Sequence, residues 1–245
     1  MTTVVSGGTI TIDGDYTVMT FTESGALTVA GNTLIDVEYL LVAGGGEASF
    51  PDSSYVSGGG AGGLLTGNIT IAPGVYPVTV GDIGNNSSFM DMTANGGGQG
   101  GFYGNGFSGG SGGGGSVQGT IHLNFLNFIG GENVTGQGYP GGAPGLGGYP
   151  PGGPGGGGGA GGPGGGGGPD AVGGGGGRGL ASTITGNLIY YAGGGSGRGP
   201  NGIGPNAPGY TSYGAGGGYD LADGPTYYSR LPAQPGVLIL SYSTP

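Results

Sequence analysis

Apolar and polar positions alternate along the first 42 residues and predict short antiparallel strands. Residues 9–12 alternate and stop at Asp13-Gly14-Asp15, a turn sequence, after which residues 16–22 alternate again. Residues 37–42 become continuously apolar, which indicates a strand buried on both faces. We therefore expect residues 1–42 to form an N-terminal antiparallel β region.

Apolar inserts interrupt the glycine-rich remainder of the chain. Residues 64–71 and 75–80 flank Ala72-Pro73-Gly74, so we predict a β-hairpin here. Two later inserts, residues 117–129 and 180–192, are also apolar and predict further β structure. No segment has helical periodicity, and the glycine density disfavours helix through most of the chain.

The last apolar run predicts how the chain closes. Residues 236–242 are a strong strand signal, and we expect residues 236–245 to pack back on the N-terminal β region. Between them lies a glycine-rich body, residues 43–235, with its β inserts at 64–81, 117–129 and 180–192. The predicted fold class is mostly β plus irregular structure, with essentially no α-helix.

Composition leaves three physical classes for the body: a collagen triple helix, a disordered chain or an ordered polyglycine assembly. Glycine supplies 75 and proline 17 of 245 residues. Collagen needs glycine at every third position, but the frame through Gly142, Gly145 and Gly148 meets Pro151. Disorder usually accompanies high charge, whereas only 7 % of the residues are charged.

An ordered polyglycine assembly requires sideways hydrogen bonds. Five-glycine runs begin at Gly155, Gly164 and Gly173, nine residues apart, which is three turns of a helix with three residues per turn. Such a strand makes no internal hydrogen bonds, so buried strands must bond to their neighbours. We therefore predict a bundle of polyglycine II helices framed by antiparallel β segments, with side chains at bundle surfaces and turns.

Net charge, cysteine content and the N-terminal sequence limit the partners and sites that we expect. Thirteen acidic residues face three basic ones, for a net charge of −10, which argues against nucleic acid or an anionic membrane as partner. The sequence has no cysteine and therefore no thiolate metal site. The N-terminus has no basic region and no long apolar stretch, so we expect no signal peptide and no membrane insertion.

Catalytic residues are not evident. His122 is the only histidine and lies in an apolar insert. Asp13 and Asp15 flank a turn glycine, and Asp220 and Asp223 lie in a tyrosine-rich loop where cation binding is a minor alternative. We predict that the protein is not an enzyme and has no catalytic residues, no metal and no cofactor.

Aromatic residues that interrupt glycine runs indicate binding more strongly than the polar residues indicate catalysis. Tyrosine offers a large contact area at low entropic cost, and the alternative role for each ring is to cap the glycine lattice. The candidate receptor-binding residues are Phe102, Tyr103, Phe107, Tyr139, Tyr149, Tyr210, Tyr213, Tyr219, Tyr227 and Tyr228. The candidate interface residues, for an oligomer or another partner, are Phe125, Leu126 and Phe128.

Four segments in order resemble glycine-rich phage proteins related to the tail-fibre adhesins of T-even-like phages. They are residues 21–29 (FTESGALTV), 37–46 (VEYLLVAGGG), 190–195 (YYAGGG) and 236–242 (GVLILSY). The resemblance implies a polyglycine II sandwich at the distal end of a fibre. It also implies variable loops that contact outer-membrane proteins or surface glycans of the host.

The leading expectation is a bacteriophage receptor-binding adhesin, a tail-fibre tip or tail protein, made in the host cytoplasm and carried in the virion. Its partners would be a host cell-surface protein or glycan and other virion proteins, and a homotrimer is compatible with a fibre. The alternative is a structural virion protein, a capsid decoration or fibre component, without receptor binding. An ice-binding protein is a weaker alternative, because small residues are irregularly spaced.

Overall fold

The computed structural model describes residues 4–49, 54–117, 128–146, 152–221 and 228–244. Within these ranges the protein is all-β, with sixteen strands in antiparallel sheets and no helix. The first nine strands are β1 (Val4–Ser6), β2 (Thr9–Asp13), β3 (Tyr16–Phe21), β4 (Gly25–Ala30), β5 (Ile35–Val42), β6 (Leu64–Ile71), β7 (Gly74–Thr79), β8 (Ser87–Phe89) and β9 (Met92–Ala94). The others are β10 (Leu180–Ser182), β11 (Ile189–Tyr191), β12 (Arg198–Gly199), β13 (Gly202–Ile203), β14 (Gly218–Leu221), β15 (Tyr228–Leu231) and β16 (Val237–Ser243).

Two five-stranded sheets share one apolar core. The first sheet has the order β1-β4-β7-β8-β9 and the second β2-β3-β16-β5-β6. Alternate residues of both sheets enter the space between them, among them Leu27 and Phe89 from the first and Met19, Leu41 and Leu240 from the second. Period-two alternation in the strands thus produces a β-sandwich, as expected when each sheet has one apolar face.

The middle of the second sheet, at β16 and the end of β5, is buried on both faces. Its other face packs Leu40, Val42 and Ile239 against residues of the glycine-rich body, including Ala61 and Tyr191. The closing strand β16 lies between β3 and β5, so the C-terminal run becomes the middle strand of the sheet. This middle position explains why residues of β5 and β16 are continuously apolar rather than alternating.

The hairpin predicted at Ala72-Pro73-Gly74 is wrong. β6 pairs with β5 in the second sheet, whereas β7 pairs with β4 in the first, so the chain crosses the sandwich here. Each strand has a better partner elsewhere, because β6 matches the whole length of β5. In contrast, the insert at residues 180–192 does contain a hairpin, β10 with β11. Most of the insert at residues 117–129 lies outside the described residues.

The glycine-rich body is held together by main-chain hydrogen bonds between segments. Along residues 58–63, successive amides donate to three different neighbouring segments, and every third amide returns to the same one. The six amide-to-carbonyl pairs, 2.7 to 3.1 Å long, are Gly58 with Gly155, Gly59 with Gly217, Gly60 with Gly98, Ala61 with Gly158, Gly62 with Gly214 and Gly63 with Asn95.

The carbonyl groups of the same residues accept from three further segments. Gly58 and Ala61 accept from Gly114 and Ser111, Gly60 and Gly63 accept from Gly46 and Ala43, and Gly59 accepts from Gly195. Residues 58–63 are therefore surrounded by six segments. All six amides and five of the six carbonyls of residues 58–63 therefore find a main-chain partner, although the region has neither helix nor sheet.

Close approach explains why these positions are glycine. A Cβ built on Gly157 would lie 1.9 Å from the carbonyl oxygen of Gly59, and one on Gly195 would lie 1.9 Å from that of Gly217. The three five-glycine runs lie side by side in the same way, since Gly156 donates to Gly165. The nine-residue spacing thus marks neighbouring segments rather than turns of one long helix.

Small side chains are nevertheless buried inside the body. Ser57, Ala61, Ser111 and Ser196 are fully buried, contrary to the expectation that side chains would be confined to surfaces and turns. Two of the hydroxyls are satisfied by carbonyls, because Ser57 donates to Gly101 and Ser196 to the carbonyl of a β14 residue. The body therefore accommodates small side chains without losing main-chain hydrogen bonds at these positions, since the Ala61 amide donates to Gly158 and the Ala61 carbonyl accepts from Ser111.

Candidate binding surface

The glycine-rich body has two different ends: its segments continue into strands of the sandwich at one end and are linked by loops at the other. At one end Ala43, Gly63 and Asn95 are hydrogen-bonded in series, and each directly adjoins a strand of the sandwich. We call this the sandwich end. At the opposite end segments are linked by loops, for example where the Gly101 amide donates to Gly114. We call this the loop end.

Two adjacent aromatic rings in mutual contact are exposed at the loop end. Phe102 and Tyr103 directly follow Gly101, and they are 41 % and 38 % exposed. Their ring centroids are 3.9 Å apart, with 36° between the ring planes. Tyr103 has a φ of +51°, a left-handed conformation that is unfavourable for a bulky residue and costs about 1–3 kcal/mol. The surrounding structure therefore holds this pair in place.

Hydrogen bonds to two neighbouring segments fix the loop that carries Phe102 and Tyr103. The carbonyl of Gly104 accepts from the amide of Ser116, 2.9 Å away. The side-chain Oδ1 of Asn105 accepts from the amide of Ile129 at 3.0 Å, and the carbonyl of Ile129 accepts from the amide of Gly106 at 3.0 Å. The loop of residues 102–107, hereafter the Phe102 loop, is thus anchored at its middle and its end.

Further exposed apolar side chains lie at the end of the Phe102 loop and on the segment bonded to it. Phe107, at the end of the Phe102 loop, is 59 % exposed, and Ile129, which is bonded to the loop, is 51 % exposed. The interface candidate Phe128 precedes Ile129 and is half-buried. Three of the predicted receptor-binding residues therefore lie in the Phe102 loop, and one predicted interface residue, Phe128, lies on the segment that is hydrogen-bonded to it.

Three other predicted aromatics lie outside the Phe102 loop. Tyr139 is 45 % exposed and follows Gln137, whose carbonyl accepts from the first residue of β6. Tyr213 is 37 % exposed, and it precedes a glycine that is bonded to residue 62, near the sandwich end. Tyr210 is half-buried, and its hydroxyl lies 3.5 Å from the carboxylate of Asp220. The aromatic candidates thus do not form one surface.

Tyr219 is a scaffold residue rather than a surface contact. Its side chain is 3 % exposed and packs with Ala48 and Val56 in a small apolar cluster. The guanidinium carbon of Arg198 lies 5.4 Å from the ring centroid, a cation–π distance. The prediction that Tyr219 contacts a receptor is therefore wrong. Tyr228 begins β15, and Tyr149, Tyr227, Phe125 and Leu126 lie outside the described residues.

A second kind of binding site, beside the exposed aromatic rings, would use the charged groups of the described residues. Arg230 forms an exposed ion pair with Glu47. Among the described residues no group of three or more histidine, aspartate and glutamate side chains is placed to hold a metal ion, and no helix is long and apolar enough to cross a membrane. A groove of about 260 Å³ on the sandwich contains the carboxylates of Glu23 and Asp82, and one oxygen of Asp82 accepts from the next amide.

One exposed apolar feature of the sandwich was not predicted from the sequence. Ile10 and Ile12 in β2 are 48 % and 63 % exposed, although the alternation of β2 resembles that of a half-buried strand. The local pattern alone could not reveal this, because exposure depends on how far the opposite sheet extends. No protein-family model matches the chain, and no curated protein matches it.

Proposed function

We propose that the glycine segments form a bundle of polyglycine II helices. A helix with three residues per turn presents successive amides in three directions, so its hydrogen-bond partners recur at every third residue. Residues 58–63 have this recurrence and six neighbouring segments, which supports the proposal. Amide hydrogen exchange tests it: slow exchange is expected at Gly58–Gly63 and Gly155–Gly159, and fast exchange throughout both would contradict the bundle.

We further propose that the protein is a bacteriophage receptor-binding adhesin, a tail-fibre tip or tail protein of the virion. Its loop end would contact a host surface protein or glycan. The observation that carries the proposal is the exposed Phe102–Tyr103 ring pair, held on a left-handed backbone by hydrogen bonds to two other segments.

Rigidity is what makes such a pair useful for binding. Ordering a flexible loop on association costs affinity, and a loop that is ordered in advance avoids that cost. Aromatic rings lose few rotamers on binding and provide a large contact area, and their faces suit sugar rings or apolar protein side chains. A net charge of −10 disfavours strongly anionic partners, so a neutral glycan or a protein loop is the better match.

The alternative remains a structural virion protein, a capsid decoration or fibre component that binds no receptor. The exposed edge of β2 favours it, because an unpaired strand edge is a surface for assembly. The copy number per virion separates the two functions. A few tens of copies are expected for a fibre protein, and hundreds would favour decoration.

The direct test is binding of the purified chain to envelope fractions of the host bacterium, together with competition against phage adsorption. We expect Phe102→Ser with Tyr103→Asn to weaken binding at least about tenfold. Asparagine tolerates the left-handed backbone at position 103, so the loop should remain folded. The matched control is Tyr139→Ser, which removes a similarly exposed ring outside the Phe102 loop.

The outcomes are distinct. A wild-type chain that neither binds envelope nor competes with adsorption contradicts the adhesin function. Equal losses in the Phe102–Tyr103 variant and the Tyr139 control would leave the adhesin function standing but place the contact elsewhere. Unchanged unfolding midpoints in both variants ensure that the comparison concerns binding.

A further inference from the structure

One edge strand of the sandwich is left open. β2 is the terminal strand of the second sheet and pairs with β3 on one side only. All five of its residues are exposed, including Ile10 and Ile12. Natural proteins usually protect such an edge with lysine, proline or a bulge. Thr9–Asp13 contains no lysine and no proline, and its continuous pairing with β3 leaves no bulge.

The hairpin turn decides which main-chain groups of β2 face outward. Gly14 and Asp15 form a two-residue turn, so Asp13 and Tyr16 are a hydrogen-bonded pair. Hydrogen-bonded and non-hydrogen-bonded pairs alternate along antiparallel strands. Residues 9, 11 and 13 therefore direct their peptide groups toward β3, while Ile10 and Ile12 direct theirs toward the open edge.

This arrangement is self-complementary about Thr11. When two β2 strands pair antiparallel with Thr11 opposite Thr11, each Ile10 stands opposite an Ile12 of the other copy. The outward peptide groups of these isoleucines then form four hydrogen bonds between the chains. Their four side chains share one face, and Thr9 stands opposite Asp13, so no like charges are directly opposed.

We propose that two copies of this chain associate through β2 about a twofold axis at Thr11. The two five-stranded sheets then join into one continuous sheet of ten strands. The interface covers isoleucine side chains that are otherwise in contact with water. A second copy is the occupant that fits best, because the strand supplies both the hydrogen-bonding parity and the apolar pairing that it needs.

The other sheet edges fit an additional strand less well. β1 and β9, the edges of the first sheet, have three residues each. β6, the other edge of the second sheet, keeps Leu65 and Ile69 partly buried against the sandwich core, so pairing there would cover less apolar surface. β2 is the edge where five residues and two exposed isoleucines coincide.

Cysteine cross-linking tests the register directly, because the chain has no cysteine of its own. Across the twofold axis the two Thr11 Cα atoms form a non-hydrogen-bonded pair at about 4.5 Å, within the range of a disulfide. Thr11→Cys should therefore give a covalent dimer with oxidised glutathione. Asp13→Cys is the matched control, because the two Asp13 Cα atoms would lie about 13 Å apart, too far to bridge.

A second test places charges at the twofold axis and measures dimer formation by sedimentation velocity over a range of protein concentrations. Thr11→Lys places two ammonium groups opposite each other and should raise the dimer dissociation constant at least about tenfold. Thr11→Glu should do the same, and an equimolar mixture of the two variants should restore dimers. Val75→Lys, at a 69 % exposed position on β7, should leave association unchanged.

The proposal is overturned if the wild-type chain is monomeric up to about 200 µM, a range in which weak specific contacts are populated. That result would leave the edge to a strand from a different protein. It is also overturned if Asp13→Cys cross-links as fast as Thr11→Cys, or if the mixture of Lys and Glu variants stays monomeric. None of these outcomes depends on receptor binding by the loop end.

Discussion

A single methyl group inside the glycine-rich body should be strongly destabilising. In Gly157→Ala the new Cβ would lie 1.9 Å from the carbonyl oxygen of Gly59, whereas ordinary contacts begin at 3.4 Å. The two segments must therefore separate by roughly 1.5 Å at this point, since packed interiors have no spare volume. The carbonyl of Gly59 also accepts the amide of Gly195, so this movement breaks a buried hydrogen bond.

The magnitude follows from these two effects. Overpacking costs about 1–3 kcal/mol, and leaving a buried peptide group unpaired costs about 1–3 kcal/mol. Alanine lowers the entropy of the unfolded chain and offsets about 0.4–1 kcal/mol of this. We expect a net loss of about 2–5 kcal/mol from a total of about 5–15 kcal/mol, with Tm lowered by roughly 5–15 °C.

Gly25→Ala is the control for the unfolded-state effect. A Cβ on Gly25 meets no atom within 4 Å, so this variant changes the entropy of the unfolded chain without a clash. Urea unfolding of both variants, followed by circular dichroism, gives the difference in the free energy of unfolding. If Gly157→Ala and Gly25→Ala agree to within about 0.5 kcal/mol, the close-packing explanation of the glycine content is refuted.

Three further results are expected. Leu240→Ala, at a 1 % exposed position in the middle strand, should lower the free energy of unfolding by about 2–5 kcal/mol in urea, and a loss below 1 kcal/mol would contradict the central place of β16. Glu47→Gln removes an exposed ion pair with Arg230 and should cost less than about 1 kcal/mol, so a larger loss would indicate that the pair organises the loop end. Burial raises the pKa of Tyr191 and of Tyr242 above the ordinary value of 10.0. Because the folded state then binds these protons more tightly than the unfolded chain, the contribution of the two tyrosines to stability should be constant below about pH 10 and be lost as pH rises further, and unfolding midpoints between pH 8 and pH 11 would check this.

The strands could be predicted from the sequence, but the partners of β6 and β7 could not. Alternation and apolar runs located β2, β3, β5 and β16 because these patterns are local. The hairpin at Ala72-Pro73-Gly74 was wrong because its turn sequence is equally compatible with a crossing between two sheets. Which of the two occurs depends on whether a longer partner such as β5 is available, and that is a property of the whole fold.

The candidate surface could be predicted only in part. The sequence identified aromatic residues among glycines, and the structure leaves Phe102, Tyr103 and Phe107 exposed at the loop end. It could not separate them from Tyr219, since all of them interrupt glycine runs in the same way. Burial of Tyr219 depends on Arg198 and on the small apolar cluster around it, which come from distant parts of the chain.

The recurrence of partners along residues 58–63 has a consequence for how the gene can change length. In the polyglycine II geometry proposed above, with three residues per turn, one inserted residue would rotate every later amide by about 120° and direct it at the wrong neighbour. An insertion of three residues would restore the direction. Homologous chains should therefore differ by multiples of three residues within these segments, while the loops between them can vary in length without such a restriction.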